Sequence, residues 1–200
     1  MIKLHFLYAL GWLSFGVVHS LLASESVKQR LEPALGAFYR LSYNLFAALH
    51  IGAVMAFGAF LFADATPLAK PEWVARSLQA AYVTGWFVLV YGLSAYDLGL
   101  FAGTRQIRDR VRGITGPTEE PFHYKGPLCY VRHPIYLGTV LILIGRVATT
   151  LDLATAFWGC LYILIGAAFE ERKLLRLYGE AYANYRNRVP AFIPWKGRAI

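Results

Sequence analysis

The chain has 200 residues, 57% of them hydrophobic and 16% charged, with a mean hydropathy of +0.43. Soluble domains carry about 25% charged residues, so this composition points to a bilayer and argues against a soluble enzyme. The net charge of +8 comes without a basic-aromatic module of the nucleic-acid-binding kind, so it is assigned to a cytosolic membrane face and no nucleic acid is expected as partner.

Lys3 stands ahead of about 20 apolar positions, longer than the core of a signal peptide, and no A-x-A site follows, so this stretch is expected to be a retained span. Five apolar stretches are expected to cross the bilayer, at residues 4–23, 41–63, 78–101, 135–149 and 151–169. The first three reach the roughly 20 residues that a helix needs to cross a hydrocarbon core about 30 Å thick. The last two share only 35 residues and break around Thr149, Thr150 and Asp152. That predicts a tight helical hairpin whose far turn sits shallow or thins the bilayer locally.

The tail carries Leu174, Leu175, Tyr178, Tyr182 and Tyr185 at helical steps, with Arg172, Lys173, Arg176, Glu180 and Arg186 on the other face. An amphipathic helix in the headgroup plane is expected, weakened by Gly179 and ended by Pro190 and Pro194. The fold class is therefore an all-α integral membrane protein, a single domain over 1–200. Its parts are three N-terminal spans over 1–101, a cytosolic loop over 102–134, a hairpin over 135–169 and a cytosolic tail over 170–200.

Orientation follows from Lys and Arg. Residues 24–40, 102–134 and the tail from Glu170 hold sixteen, whereas the opposite side holds four, at Lys3, Lys70, Arg76 and Arg146. The positive-inside rule puts the N-terminus outside and the C-terminus in the cytosol, in an inner or plasma membrane. Arg146 is expected to snorkel to the outer interface.

Ionisable groups in spans are costly and are functional candidates by default. On this topology they gather at the cytosolic ends of the spans: His19, then Tyr39, Arg40, Tyr43 and Asn44, then Asp97 with the following "GTRQIRDR", then Arg132 and His133, then Glu170 and Glu171. Tyr39 and Tyr43 also suit interfacial anchoring. Pro134 suits the first position of a helix, whose free N–H groups and positive dipole end would favour an anion beside Arg132. Glu170 and Glu171 at a span end would be unfavourable by roughly 0.3–1 kcal/mol each. A cation, a set of hydroxyl donors, or continuation of the helix into the tail would have to compensate. Such walls suit a zwitterionic ligand bearing hydroxyls; S-adenosylmethionine is one, although these residues alone do not single it out. Cys129 and Cys160 form no disulfide framework, and with the scattered histidines they show no ligand spacing, so no metal is expected.

"GPLCYVRHPIYLG" (126–138) together with "EERKLLRLYGEAYANYRNRVPAFIP" (170–194) resembles the signature of the integral-membrane methyltransferases, which include the isoprenylcysteine carboxyl methyltransferases and the phospholipid N-methyltransferases. "FGVVHSLLASESVK", "YRLSYN" and "YDLGLFAGTRQ" in the N-terminal half resemble the methanethiol S-methyltransferase and NnrU-like branch. The resemblance implies a five-helix enzyme holding S-adenosylmethionine between the fourth and fifth helices and the tail. Carried over by motif, the cofactor contacts would be Tyr130, Arg132, His133, Tyr136, Gly138, Glu170, Glu171, Tyr182, Tyr185 and Arg186. A small or lipid-like acceptor would meet Tyr39, Arg40, Asn44 and Gln106, entering from the membrane or the N-terminal helices.

Methyl transfer is an in-line displacement that the protein promotes by alignment in a dry site. A carboxylate acceptor needs no base, whereas a thiol, with a free pKa near 8.5, does; His19, Asp97 and His133 are the candidates. The alternative is an NnrU-like, haem- or redox-associated protein, which would want two facing histidines at similar depth. His50 lies about 15 Å past Arg40 at 1.5 Å per residue, and His19 near the cytosolic edge, so their depths disagree.

Overall fold

The computed structural model describes residues 2–114 and 122–198, so residues 115–121 of the expected cytosolic loop lie outside the described residues. The described helices are α1 (Ile2–Leu22), α2 (Glu25–Leu35), α3 (Tyr39–Leu61), α4 (Glu72–Leu93), α5 (Leu98–Ala102), α6 (Thr104–Val111), α7 (Pro134–Gly145) and α8 (Thr150–Arg188). Among the described residues there is no strand, only an isolated β-bridge between Pro67 and Thr149. Three helical stretches are long and apolar enough to cross a membrane, Ile2–Leu22, Glu25–Leu61 and Thr150–Arg188, and Pro134–Gly145 is a shorter apolar helix. The protein is an all-α membrane protein.

Element boundaries depart from the sequence reading where polar side chains cap helices. Between the first two apolar stretches stands a helix of its own, α2, which the Ser24 side chain caps by accepting from the Val27 N–H at 3.4 Å. The third apolar stretch does not run to Phe101. Its helix ends at Leu93, and Asp97 starts a new one by accepting from the Leu100 N–H at 3.0 Å.

The chain packs as two compact units, Met1–Ala63 with Tyr96–Pro121 and Asp64–Ala95 with Phe122–Ile200. In the first, α1 buries Tyr8, Trp12 and Phe15, spaced four and three residues apart and so on one helical face. Tyr8 lies over Gly58 of α3, where a side chain would collide with its ring.

The second unit joins α4, α7 and α8. Glycines stand seven residues apart on both of the first two helices, Gly85 and Gly92 on α4, Gly138 and Gly145 on α7. A Cβ on Gly138 would lie 2.6 Å from the Leu89 nitrogen, one on Gly85 2.8 Å from the Ile142 nitrogen, and one on Gly92 3.0 Å from the Ile135 nitrogen. The two backbones therefore touch along an antiparallel pair. Lipid supplies no hydrophobic drive between helices, so van der Waals contact at small residues holds them. This pairing lets a helix of only 12 residues take a fixed place.

α8 begins at a reciprocal capping box between Thr149 and Asp152, which gives the sequence break its physical cause. It presents Thr155, Gly159, Ile163 and Ala167 on one buried face at four-residue steps, and meets α7 within this unit. Its part before Gly179, residues 150–178, rises about 43 Å at 1.5 Å per residue, well beyond a hydrocarbon core of about 30 Å. The apolar part, 151–169, is the crossing segment, and the rest continues beyond it. Glu170 and Glu171 thus stand mid-helix, not beside the free carbonyls of a span end, because the backbone ladder runs on past them.

Gly179 kinks α8 at φ 53° and ψ −127°, a region open to glycine alone at no cost. Gly179→Ala is expected to destabilise the folded protein by about 1–3 kcal/mol, read as a lower thermal midpoint in detergent. An unchanged midpoint would show that the kink is dispensable.

Candidate functional site

The 131–133 segment is clasped to the chain after α8: the Arg132 N–H donates to the Pro190 carbonyl at 2.9 Å and the His133 N–H to the Ala191 carbonyl at 3.0 Å. His133 is the N-cap of α7 and Pro134 its first residue, where a missing N–H costs nothing. The clasp and the kink at Gly179 together bring 126–138 and 170–194 into one cluster.

Glu171 is its centre. Arg132 donates to Glu171 Oε1 through Nε at 2.8 Å and Nη2 at 2.5 Å, and His133 Nε2 lies 3.0 Å from the same oxygen. Arg186 Nε stands 3.6 Å from Oε2. Arg132 Nη1 also donates to the carbonyls of Arg186, at 3.0 Å, and Val189, at 2.5 Å. Burial acts to raise the Glu171 pKa, but hydrogen bonds from Arg132 and His133 outweigh it, so the carboxyl sits below its ordinary 4.5. The guanidinium expected to stand free for an anion is largely spent as a strut between α7, α8 and the end of the tail helix.

Glu170 and Tyr182 differ from these. Glu170 Oε2 is buried with no hydrogen-bond partner among the described residues, 3.7 Å from His133 Nδ1, and the buried Tyr182 hydroxyl adjoins Arg132 without a well-aligned hydrogen bond among those residues. Burial first, then the charge of Glu171, push the Tyr182 phenol up to about 12, so it stays an O–H donor at neutral pH. Tyr136 stacks on His133 at 5.4 Å between centroids, and Phe192 flanks the ring at 5.5 Å. Tyr185 donates to the Leu128 carbonyl at 2.8 Å. Tyr130 is exposed, and the space beside Gly138 is filled by Leu89 of α4. The sequence reading passed over Phe192 and over Phe122 and Tyr124, whose rings pack with Tyr182 and Tyr185; the aromatic pair flanking His123 was the available signal.

In the other unit, His19 Nε2 lies 2.8 Å from the Tyr43 hydroxyl. The candidate acceptor contacts are each bonded to a helix end. Arg40 Nε donates to the Phe101 carbonyl at 3.2 Å, Asn44 Nδ2 to those of Phe101 and Ala102 at 2.9 and 3.1 Å, and Gln106 Nε2 to that of Leu100 at 3.1 Å. All three cap α5, and Tyr39 caps α1 through the Leu22 carbonyl at 2.5 Å. Asp97 pairs with Arg105. The Leu100 N–H, then Arg105, hold its carboxyl below the usual carboxylate range.

The chain is 32% identical over 91% of its length to "Methanethiol S-methyltransferase 1" of Bradyrhizobium diazoefficiens, covering 64% of that protein. It is 30% identical over 90% of its length to "Methanethiol S-methyltransferase" of Pseudomonas deceptionensis, covering 69% of that protein. The chain belongs to the membrane isoprenylcysteine methyltransferase-like family. Nurim of Rattus norvegicus is a further relative, 28% identical over 68% of this chain and 56% of nurim. No family model and no solved structure matches the chain. The chain spans about 64% of the Bradyrhizobium enzyme, so membership fixes its kinship and leaves its own reaction to be argued from the cluster.

Proposed function

We propose that the chain is a membrane-bound methyltransferase that moves a methyl group from S-adenosylmethionine to a small thiol at the cytosolic face, with the N-terminus outside. The observation that carries this is Glu170 Oε2, buried with no hydrogen bond among the described residues, together with the buried Tyr182 hydroxyl, which adjoins Arg132, next to a carboxylate paired with Arg132 and faced by Arg186. Buried polar groups are normally hydrogen-bonded, so the pair indicates a ligand with both donors and acceptors. An amino group or a ribose diol meets the first, and hydroxyl or carboxylate oxygens the second. With Arg132 committed to Glu171, the half-exposed Arg186 is the freer cation for a carboxylate end. The names of the relatives support a small thiol as acceptor, and the excess of Lys and Arg on one side supports the orientation.

When bound, S-adenosylmethionine supplies an electrophilic methyl group on a sulfonium sulfur. The protein contributes alignment and a proton acceptor. Glu171, ionised beside Arg132, can only accept, so the His133 Nε2 facing it carries the hydrogen. Nδ1 is then the basic nitrogen, and a proton taken there faces Glu170 Oε2 at 3.7 Å. Asp97, held acidic by Leu100 and Arg105, is the weaker base for a thiol with a free pKa near 8.5.

The test is purified full-length protein in lipid nanodiscs with labelled S-adenosylmethionine and methanethiol. Label in dimethyl sulfide is expected. Glu170→Gln should weaken cofactor binding about tenfold or more, the size of a lost charge-assisted hydrogen bond, with little effect on the thermal midpoint, since no hydrogen bond within the protein depends on Oε2. Equal affinity in the variant would sink the site assignment.

A further inference from the structure

α7 has 12 residues, a rise of about 18 Å against a hydrocarbon core about 30 Å thick. Its first residue adjoins the Arg132–Glu171 cluster, so Gly145 ends well short of the opposite headgroup level. Irregular backbone follows at 146–149, which lipid cannot hydrogen-bond. The chain satisfies it internally: the Leu68 N–H donates to the Ala148 carbonyl at 2.9 Å and the Thr150 N–H to the Thr66 carbonyl at 3.2 Å.

The same pairing fixes two cations. Lys70 donates to the Val147 carbonyl, and Arg146 follows the last turn of α7 with its Nη2 3.5 Å from Asp152 Oδ1. Between this turn and α4 lies an open groove of about 230 Å³, lined by Lys70, Leu78, Gln79, Tyr82, Arg146 and the backbone of 145–148. An ammonium has three donors and Lys70 spends one; the Arg146 side chain is 56% exposed. Cations below headgroup level draw water or an anion inward, and a short span draws the headgroups inward as well. Both effects meet in this groove.

The charge around it selects among lipids. Among the described residues no carboxylate lines the groove. Asp152, next to it through Arg146, already accepts from the Ala148 and Thr149 N–H groups and the Thr149 hydroxyl. A headgroup ammonium would find two cations and, among the described residues, no acidic side chain lining the groove.

We propose that this groove holds the phosphate of an anionic phospholipid, its acyl chain along Leu78 and Tyr82, in the leaflet opposite the Arg132–Glu171 cluster. The proposal does not depend on which reaction the protein catalyses. Full-length protein in detergent, offered equal phosphatidylglycerol and phosphatidylcholine and read by native mass spectrometry, should retain phosphatidylglycerol preferentially. Lys70→Gln with Arg146→Gln should cut that preference about thirtyfold, two membrane-surface cations acting together. Gln79→Glu, which leaves both cations in place and adds a carboxylate at an exposed position, should cut it as well. Arg76→Gln, on an exposed residue paired with Glu72, should leave it unchanged. Equal retention of the two lipids, a preference surviving in both groove variants, or displacement of the lipid by millimolar inorganic phosphate would each overturn the assignment.

Discussion

Glu171→Ala is expected to destabilise the protein by about 3–5 kcal/mol, the loss seen when one partner of a buried pair is removed. The side chains of Arg132 and Glu171 are 10% and 15% exposed, so water does little to replace the lost carboxylate. Three donors converge on Glu171, and its removal leaves Arg132 a buried cation facing the Arg186 and Val189 carbonyls, with no carboxylate partner among the described residues that bond it now. Arg132→Lys should rescue nothing, because an ammonium cannot span the carboxylate and both carbonyls as the guanidinium fork does. Thermal unfolding in detergent measures this, and a midpoint within error of wild type in Glu171→Ala would refute the strut.

The same pair sets a pH dependence. The native Glu171 pKa is depressed below 4.5, so the unfolded chain takes up its proton first as pH falls. The contribution is complete above the unfolded value and disappears as pH drops through the lower, native one. Wild type should therefore lose part of its stability as pH falls below the ordinary glutamate value of 4.5, and Glu171→Gln should lose less of it there. Parallel curves would assign the acid loss to other carboxylates.

Gly138→Leu is expected to part α4 from α7. Its Cβ alone would fall 2.6 Å from the Leu89 nitrogen and 2.7 Å from the Leu89 Cα, both backbone atoms that no rotamer change can move. Overpacking of this kind costs about 1–3 kcal/mol, and more where main chain must shift. Gly52→Ala is the control, since nothing lies within 4 Å of a Cβ there. A folded Gly138→Leu protein with normal stability but weakened S-adenosylmethionine binding would instead show that Gly138 faces the cofactor, as the family resemblance implies. Loss of stability with normal affinity in the surviving fraction is the expected outcome.

The site was legible to different depths. Arg132, His133, Glu170 and Glu171 stood out because charge beside an apolar run is costly and demands a partner. The pairing itself was not readable: nothing local says that Glu171 takes Arg132 and His133 while Glu170 keeps a free oxygen. Arg40, Asn44 and Gln106 are polar groups near apolar runs, and spacing along the chain does not show that their hydrogen bonds go to the carbonyl end of α5. That short helix was hidden inside the stretch read as the end of the third span. Asp97, a carboxylate after an apolar run, reads as a closing residue and acts here as an N-cap.

The sequence alone determined the solvent in which this protein folds, the break before α8 and the family to which it is kin. Those features rest on composition, on capping chemistry and on spacing along one chain. Tertiary structure alone decided which glycines admit a neighbouring backbone, how far the last helix runs, and which carboxylate is left with an oxygen to spare. Each of these depends on distances between residues remote in sequence. The kink at Gly179, the clasp of 131–133 to the chain after α8 and the contact of α4 with α7 set those distances, and no periodicity encodes them.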